Sequence, residues 1–435
     1  MKQHKLKETE IGKIPADWEI ATIEGIKAGK KHALAMGPFG SNITKDNFVE
    51  AGVPVIRGNN LTEYRFSDKD FVFVTESKAG ELAASVALPE DIVITHRGTL
   101  GQVGIIPKES NFSKYVVSQS GMKISCDTGL VNPQFVFYFL KSPKGQYLLL
   151  KNTSQTGVPA IAQPLTSLRS VAIPLPQLDE QNEIVGILSS LDDLVELNRK
   201  ISANLEKIGQ ALFKHWFVDF EFLNEKGNPY RSSGGKMVDS ELGEIPEGWV
   251  VGTLGDICDI TMGQSPPGHS YNEDGNGLPF YQGIADFGFR FPSRRVYCTA
   301  PSRFAEEGDV LLSVRAPVGT FNVTEERCAI GRGLAALRLK EKHNGFLYYL
   351  LRTTRTEWEK FEAEGTVFGS VTKSDVHDFK VVIPPQPVLA KFALLIEVLE
   401  GKININEKES RNLTAIRDSL LPRLMSGRIR VGMSK

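Results

Sequence analysis

Cysteine is scarce: Cys126, Cys258, Cys298 and Cys328 are scattered through 435 residues with no C-x-x-C pair. That spacing excludes a zinc ribbon or a thiol–disulfide motif and fits a reduced intracellular protein without a metal centre. No H-E-x-x-H segment offers a second kind of metal site. No G-x-x-x-x-G-K-[ST] loop and no G-x-G-x-x-G opening a helix occurs, so nucleotide hydrolysis and dinucleotide binding have no visible seat. No apolar window approaches the length of a membrane span. The opening residues Met1–Glu10 are charged and lack an apolar core, so no secretory signal is expected. Excess charge is missing too, since 51 Lys+Arg and 52 Asp+Glu leave a net −1. Residues 241–387 are acidic, with 15 basic and 20 acidic side chains, so any polyanion-binding surface there must be a local patch.

What is present is a long apolar repeat. From Leu178 to Phe217 there is no proline, and Ile184, Leu191, Leu205 and Leu212 at heptad position a place Ile187, Leu194, Ile201 and Ile208 at d. A helix of that length spans roughly 60 Å and needs a partner. A second stretch, about Val388 to Ser426, supplies one in the same frame shifted by 208 residues. It carries Phe392, Leu399, Leu413 and Leu420 at a and a poorer d series. Asn198 and Asn406 occupy equivalent a positions near the middle of each helix, and antiparallel packing would bring them together to fix the register.

The chain is also duplicated. Gly12–Trp18 and Gly243–Trp249 both read G-x-I-P-x-x-W. Glu90–Arg97 parallels Gly308–Arg315, each followed by a glycine (Gly101, Gly319). Val171–Pro174 matches Val381–Pro384, and a long helix follows each. Each copy is thus a domain of roughly 170 residues and then a helix. Expected strands are Phe71–Val74, Asp91–Thr95, Val116–Ser118, Val310–Val314 and Val381–Ile383. Expected helices are Gln134–Lys151 and Gly345–Ala363. Short strands with few helices and many Gly/Pro loops favour an α+β class. The expected division is 1–177, 178–220 (central helix), 221–387 (linker and second domain) and 388–435 (second helix and tail). Polar, Gly/Ser-containing Asn224–Gly235 reads as a linker.

No catalytic constellation emerges. Ser265-Pro266-Pro267-Gly268 approaches the Asp/Asn/Ser-Pro-Pro-aromatic segment of amino-methyltransferases, but glycine stands where the ring must stack on a flipped base, so it reads as a turn. The polar loops suit nucleic acid instead. Arg reads guanine, Asn or Gln reads adenine, and Lys and Ser suit phosphate. In the first domain the candidates are Lys30, Lys31, Ser41, Asn42, Arg57, Asn59, Asn60, Arg65, Arg97 and Gln119. In the second they are Gln264, Ser265, Gln282, Arg290, Arg294, Arg295 and Arg315.

In combination these landmarks resemble the specificity (S) subunit of type I restriction–modification enzymes. The resemblance runs through both G-x-I-P-x-x-W openings, Gly37-Pro38-Phe39-Gly40-Ser41, Gly52–Arg57, His96–Gly101 and Ser118-Gln119-Ser120. It continues through Gly263–Pro266, Arg315–Gly319 and Ile173–Pro176 leading to Glu180-Gln181. Two departures are Ala390-Lys391 in place of that Glu-Gln, and Pro422, which should kink or end the second helix. The resemblance implies two target recognition domains, each reading half of a split double-stranded DNA site, held apart by a helical spacer. One heptad added to each helix should then lengthen the unread gap. It also implies cytoplasmic partners that do the chemistry: two modification (M) subunits binding S-adenosylmethionine, and restriction (R) subunits using ATP and Mg. The chain itself would be non-catalytic and without a cofactor. Two other classes remain open from the residues alone, a self-contained DNA methyltransferase and a protein scaffold that never touches DNA.

Overall fold

A computed structural model describes residues 5–61, 64–154, 157–363 and 369–431. It divides into two compact units, and the division falls inside both long helices. One unit takes the chain through Glu196 together with the stretch from Arg411 on; the other is Leu197–Ser410.

In the first unit a four-stranded sheet runs Leu34–Met36, Gly121–Ile124, Ile92–Thr95, Val103–Ile105. A second runs Val72–Val74, Val53–Ile56, Tyr115–Val117, Val86–Ala87, with Val53–Ile56 and Tyr115–Val117 parallel. The second unit repeats both. Its first sheet runs Cys258–Met262, Leu334–Leu339, Val310–Ser313, Phe321–Val323. Its other sheet holds Leu278–Tyr281 parallel to Cys328–Ile330, with Phe304–Ala305 on the far edge. In these parallel pairs Val53–Ile56, Tyr115–Val117 and Cys328–Ile330 are buried at every residue and Leu278–Tyr281 at all but the first, which is why their sequences read as continuous apolar runs rather than alternation.

The repeat has a register that the sequence pattern misplaces. Ile173 pairs with Ala21, and Val381 pairs with Gly252. Ala21 and Gly252 lie 231 residues apart, as the two tryptophans do, so Ile173 corresponds to Val381 and Pro176 to Pro384. The shift is 208, the same as for the helices, whereas matching Val171 to Val381 is two residues out.

Each domain carries an aromatic-rich helical pair. The expected single helix 134–151 is two: α1 (Pro133–Lys141) and α2 (Pro143–Leu150). Pro143 forces Ser142 into an extended conformation, and the Ser142 hydroxyl then accepts from Gly145 N at 3.1 Å as the cap of α2. The long helix α3 (Leu178–Phe213) passes into a wider π-type turn at Lys214–Val218. In the second unit the expected helix 345–363 is again two, α4 (Asn344–Thr353) and α5 (Arg355–Ala363). The last helix, α6, covers Gln386–Met425. Pro422 sits inside α6, and the helix ends three residues beyond it at Met425.

In the second unit α3 and α6 pack antiparallel: Asn198 meets Glu409, Ser202 meets Asn406, and Glu206 and Glu400 share Arg290. The seam keeps the expected a positions but turns several d positions out. Leu194 (44 % exposed), Ile208 (49 %), Leu395 and Ile416 face outward. Asp192, Ser202, Glu206 and Arg417 are buried alongside the expected a residues Ile184, Asn198, Phe392 and Asn406. Each helix packs the short aromatic helices of its unit on one flank and the other long helix on the second, which widens and rotates the covered face. Phe213, for example, touches both Phe346 and Phe392.

The linker Asn224–Gly235 is built as an ordered turn. The Asn224 side chain accepts from the amides of Lys226 and Asn228, and Tyr230 stacks on Phe222 with centroids 4.7 Å apart. Among the described residues no helix is long and apolar enough to cross a membrane.

Candidate nucleic-acid interface

The loops at one end of each pair of sheets are held by backbone hydrogen bonds common to both copies. Ser118 N donates to Ile56 O at 2.9 Å, and Gly331 N to Tyr281 O at 2.8 Å. His96 N donates to Ser120 O, and Val314 N to Gly333 O, each at 2.9 Å. Gly37 and Gly263 sit where a Cβ would come within 1.8 Å of Ser118 O and 2.2 Å of Gly331 O respectively. Only glycine lets the G-P-F-G-S and G-Q-S-P loops cross there.

In the second unit this frame gathers Ser265, Gln282, Ser313, Arg315, Arg332 and the Gly283 backbone around a cavity of about 230 Å³. Three of these, Ser265, Gln282 and Arg315, were expected from sequence. Arg332 was not, although it stands between two glycines in the place that Gln119 occupies between two serines. In the first unit Arg97, Gln119, Lys30, Lys31, Ser41, Asn42 and Asn59 are exposed. Arg57 is half-buried, and its Nη2 donates to the Asp70 carbonyl at 2.9 Å. Gln264 is exposed as well. Arg294 pairs with Glu326 at 2.5 Å and Arg295 with the buried Asp286 at 3.0 Å, so both surface arginines are engaged within their own unit.

Three expected contacts are structural. Asn60 is fully buried; its Oδ1 accepts from Arg57 N, and its Nδ2 donates to the carbonyls of Ser67 and Lys69. Arg65 donates to Asp193 at 2.6 Å, to Tyr138 Oη at 3.2 Å and to the Ser189 carbonyl. Arg290 has no exposed surface: it donates to Glu400 at 2.6 and 2.7 Å, binds Glu206, and lies over the Tyr348 ring with 3.8 Å to the centroid. A guanidinium so enclosed cannot reach a base edge. Asn198 and Asn406 are both buried but do not pair with each other; Asn198 donates to Glu409 at 3.1 Å and Asn406 to Ser202 at 3.3 Å. The antiparallel register sets them about one turn apart.

Burial shifts several titratable groups in both units. Burial holds His96 below the usual imidazole range, and burial pushes the Cys126, Cys258 and Cys328 thiols up to about 12. A thiol so shifted is a poor nucleophile. The first copy's opening tryptophan and its Glu180-Gln181 helix start are likewise framework. Trp18 donates to Glu180 at 2.9 Å, Arg430 binds Glu180 and Asp17, and Gln181 accepts from Asn132 N.

Two recognition-type α+β domains and two long antiparallel helices define the class, and comparison with known proteins gives the family. The model of the type I restriction modification DNA specificity domain matches twice, over residues 36–207 and 246–415, and the chain belongs to that family. It is 30 % identical to the putative type I restriction enzyme MjaX specificity subunit of Methanocaldococcus jannaschii, across 99 % of this chain and 98 % of that one. It is 29 % identical to the MjaIX specificity subunit of the same organism, over 98 % and 97 %. In fold it is similar to the crystal structure of the type I S subunit from M. genitalium, at 18 % identity with a TM-score of 0.56, covering 96 % and 97 %.

Proposed function

We propose that this chain is the non-catalytic, sequence-reading subunit of a cytoplasmic type I restriction–modification enzyme. Its first domain (1–177) and second domain (within 221–387) each read one half of a split duplex DNA target. Modification subunits that bind S-adenosylmethionine, and restriction subunits that use ATP and Mg, supply the chemistry. The observation that carries the reading is the cavity lined by Arg315, Arg332, Gln282 and Ser265, together with its counterpart frame around Arg97, Gln119 and Arg57. Those side chains combine charge for phosphate with forked donors and acceptors for base edges, on loops that both copies hold by the same backbone hydrogen bonds.

Replacing residues 241–387 with the corresponding domain of another family member tests this. Mapping of methylated bases in cells carrying the chimera with its modification subunit should show one half of the target changed and the other kept. An unchanged target sinks the proposal, as does S-adenosylmethionine binding by the purified chain alone.

A further inference from the structure

The two copies carry an exchange of side chains. Ile56 and Tyr281 hold one post in the repeated frame, because each accepts the amide of the residue that opens the next loop, Ser118 or Gly331. Their strands run parallel in the same register, Val117 beside Ile56 and Ile330 beside Tyr281. The residues that follow, Arg57 and Gln282, are therefore structural equivalents. One residue beyond Ser118 and Gly331 stand Gln119 and Arg332, equivalent by the same bonds. The first domain thus presents Arg then Gln where the second presents Gln then Arg. The neighbouring post does not change: Arg97 and Arg315 match, each in a backbone bridge, to Ala160 and to Ser370.

We infer that the exchanged posts, Arg57/Gln282 and Gln119/Arg332, set the base preference of each domain, while the invariant Arg97 and Arg315 hold the DNA backbone. This rests on the DNA reading proposed above. A residue common to both copies cannot make two halves of a target differ, whereas an Arg/Gln exchange on one frame can. Arg makes its forked contact with guanine and Gln with adenine. In the second unit both exchanged posts and Arg315 line the same cavity, so they act on one short stretch of duplex. In the first, the Asp70 carbonyl fixes one end of the Arg57 guanidinium and so orients its fork.

Selection from a randomised duplex library tests this, using the full chain complexed with its modification subunit. Wild-type complex should enrich a two-part motif; if it enriches none, the DNA reading itself fails. The R57Q/Q119R variant should change guanine and adenine preferences in one half only, with the original half-site losing about 5- to 150-fold in affinity. Q282R/R332Q should move the other half. R97Q should weaken all sequences about equally and flatten the salt dependence by about one ion, leaving the motif intact. A two-part motif unmoved by either double exchange, or altered in both halves by one of them, overturns the assignment while leaving the DNA reading in place. Gln119, Gln282 and Arg332 are exposed and Arg57 is half-buried, so a thermal midpoint matching wild type is required of each variant to show that it is folded.

Discussion

The Tyr349 hydroxyl donates to Glu400 at 3.0 Å, and in the other unit Tyr138 donates to Asp192 at 2.6 Å. Asp192 and Glu400 lie 208 residues apart, the shift that relates the two long helices. An arginine completes each cluster, Arg65 beside Tyr138 and Asp192, and Arg290 beside Tyr349 and Glu400. The same clamp thus fastens each domain to its stretch of long helix. Arg290→Met removes the cation and leaves Glu206 and Glu400 facing one another. Calorimetry should record a loss of about 3–5 kcal/mol. The triple variant R290M/E206L/E400L should recover most of it, because apolar residues need no compensating charge. A single variant as stable as wild type would show that the clamp bears little.

That clamp was invisible in the sequence, whereas the duplication was plain. The G-x-I-P-x-x-W openings and the 208-residue helix shift are local patterns, legible wherever spacing survives. Strand positions followed from apolar runs to within a residue or two. The faces of the long helices were misjudged at several d positions because a heptad reading assumes one partner, and each helix here has two. Arg65, Asn60 and Arg290 looked like readers for a related reason: a polar side chain in a loop carries no mark of what the rest of the chain folds over it. Arg332 was missed because Gly331-Arg332-Gly333 had diverged from Ser118-Gln119-Ser120, and only the hydrogen-bond frame aligns them.

Glycines at the loop crossing give a second prediction. A methyl group at residue 37 or 263 meets backbone oxygen, which cannot swing aside as a side chain would. Gly37→Ala and Gly263→Ala should each cost about 1–3 kcal/mol or more and disturb the reading loops. Gly186, inside α3 with nothing but its own helix backbone near an added Cβ, is the control. Gly186→Ala should stabilise by about 0.5–1 kcal/mol. Equal effects at the three positions would contradict the crossing geometry.

The polar middle of the helix pair yields a third. Asn406 Nδ2 donates to Ser202 Oγ at 3.3 Å, a long bond, and its buried Oδ1 finds no partner among the described residues. Removing both groups removes a desolvation cost without orphaning either. S202A/N406L should therefore hold or raise the thermal midpoint, while Ser202→Ala alone should lower it by leaving the asparagine with nothing. If the double variant is the less stable of the two, the pair contributes more than its geometry shows.

Lys141 gives the pH dependence. Burial lowers its pKa to about 8, with Arg417 adding to the effect and Asp192 opposing it; its ammonium also sits over the Tyr64 ring, 4.6 Å from the centroid. In the unfolded chain the same lysine keeps its proton to about 10.4. Between those values the unfolded state binds more protons than the folded one, so this group makes stability rise with pH. Below about pH 8 the ammonium is charged in both states, and its desolvation cost falls wholly on the folded protein. Lys141→Met deletes that cost. The variant should be more stable than wild type at pH 7, and the difference should shrink as pH rises from 8 to 10. Taking the difference cancels the opposing contribution of the buried thiols, which titrate in the unfolded chain across the upper part of the same range. Thermal midpoints of both proteins across that window provide the measurement, and a gap that stays constant or widens with pH would show that Lys141 remains charged in the fold.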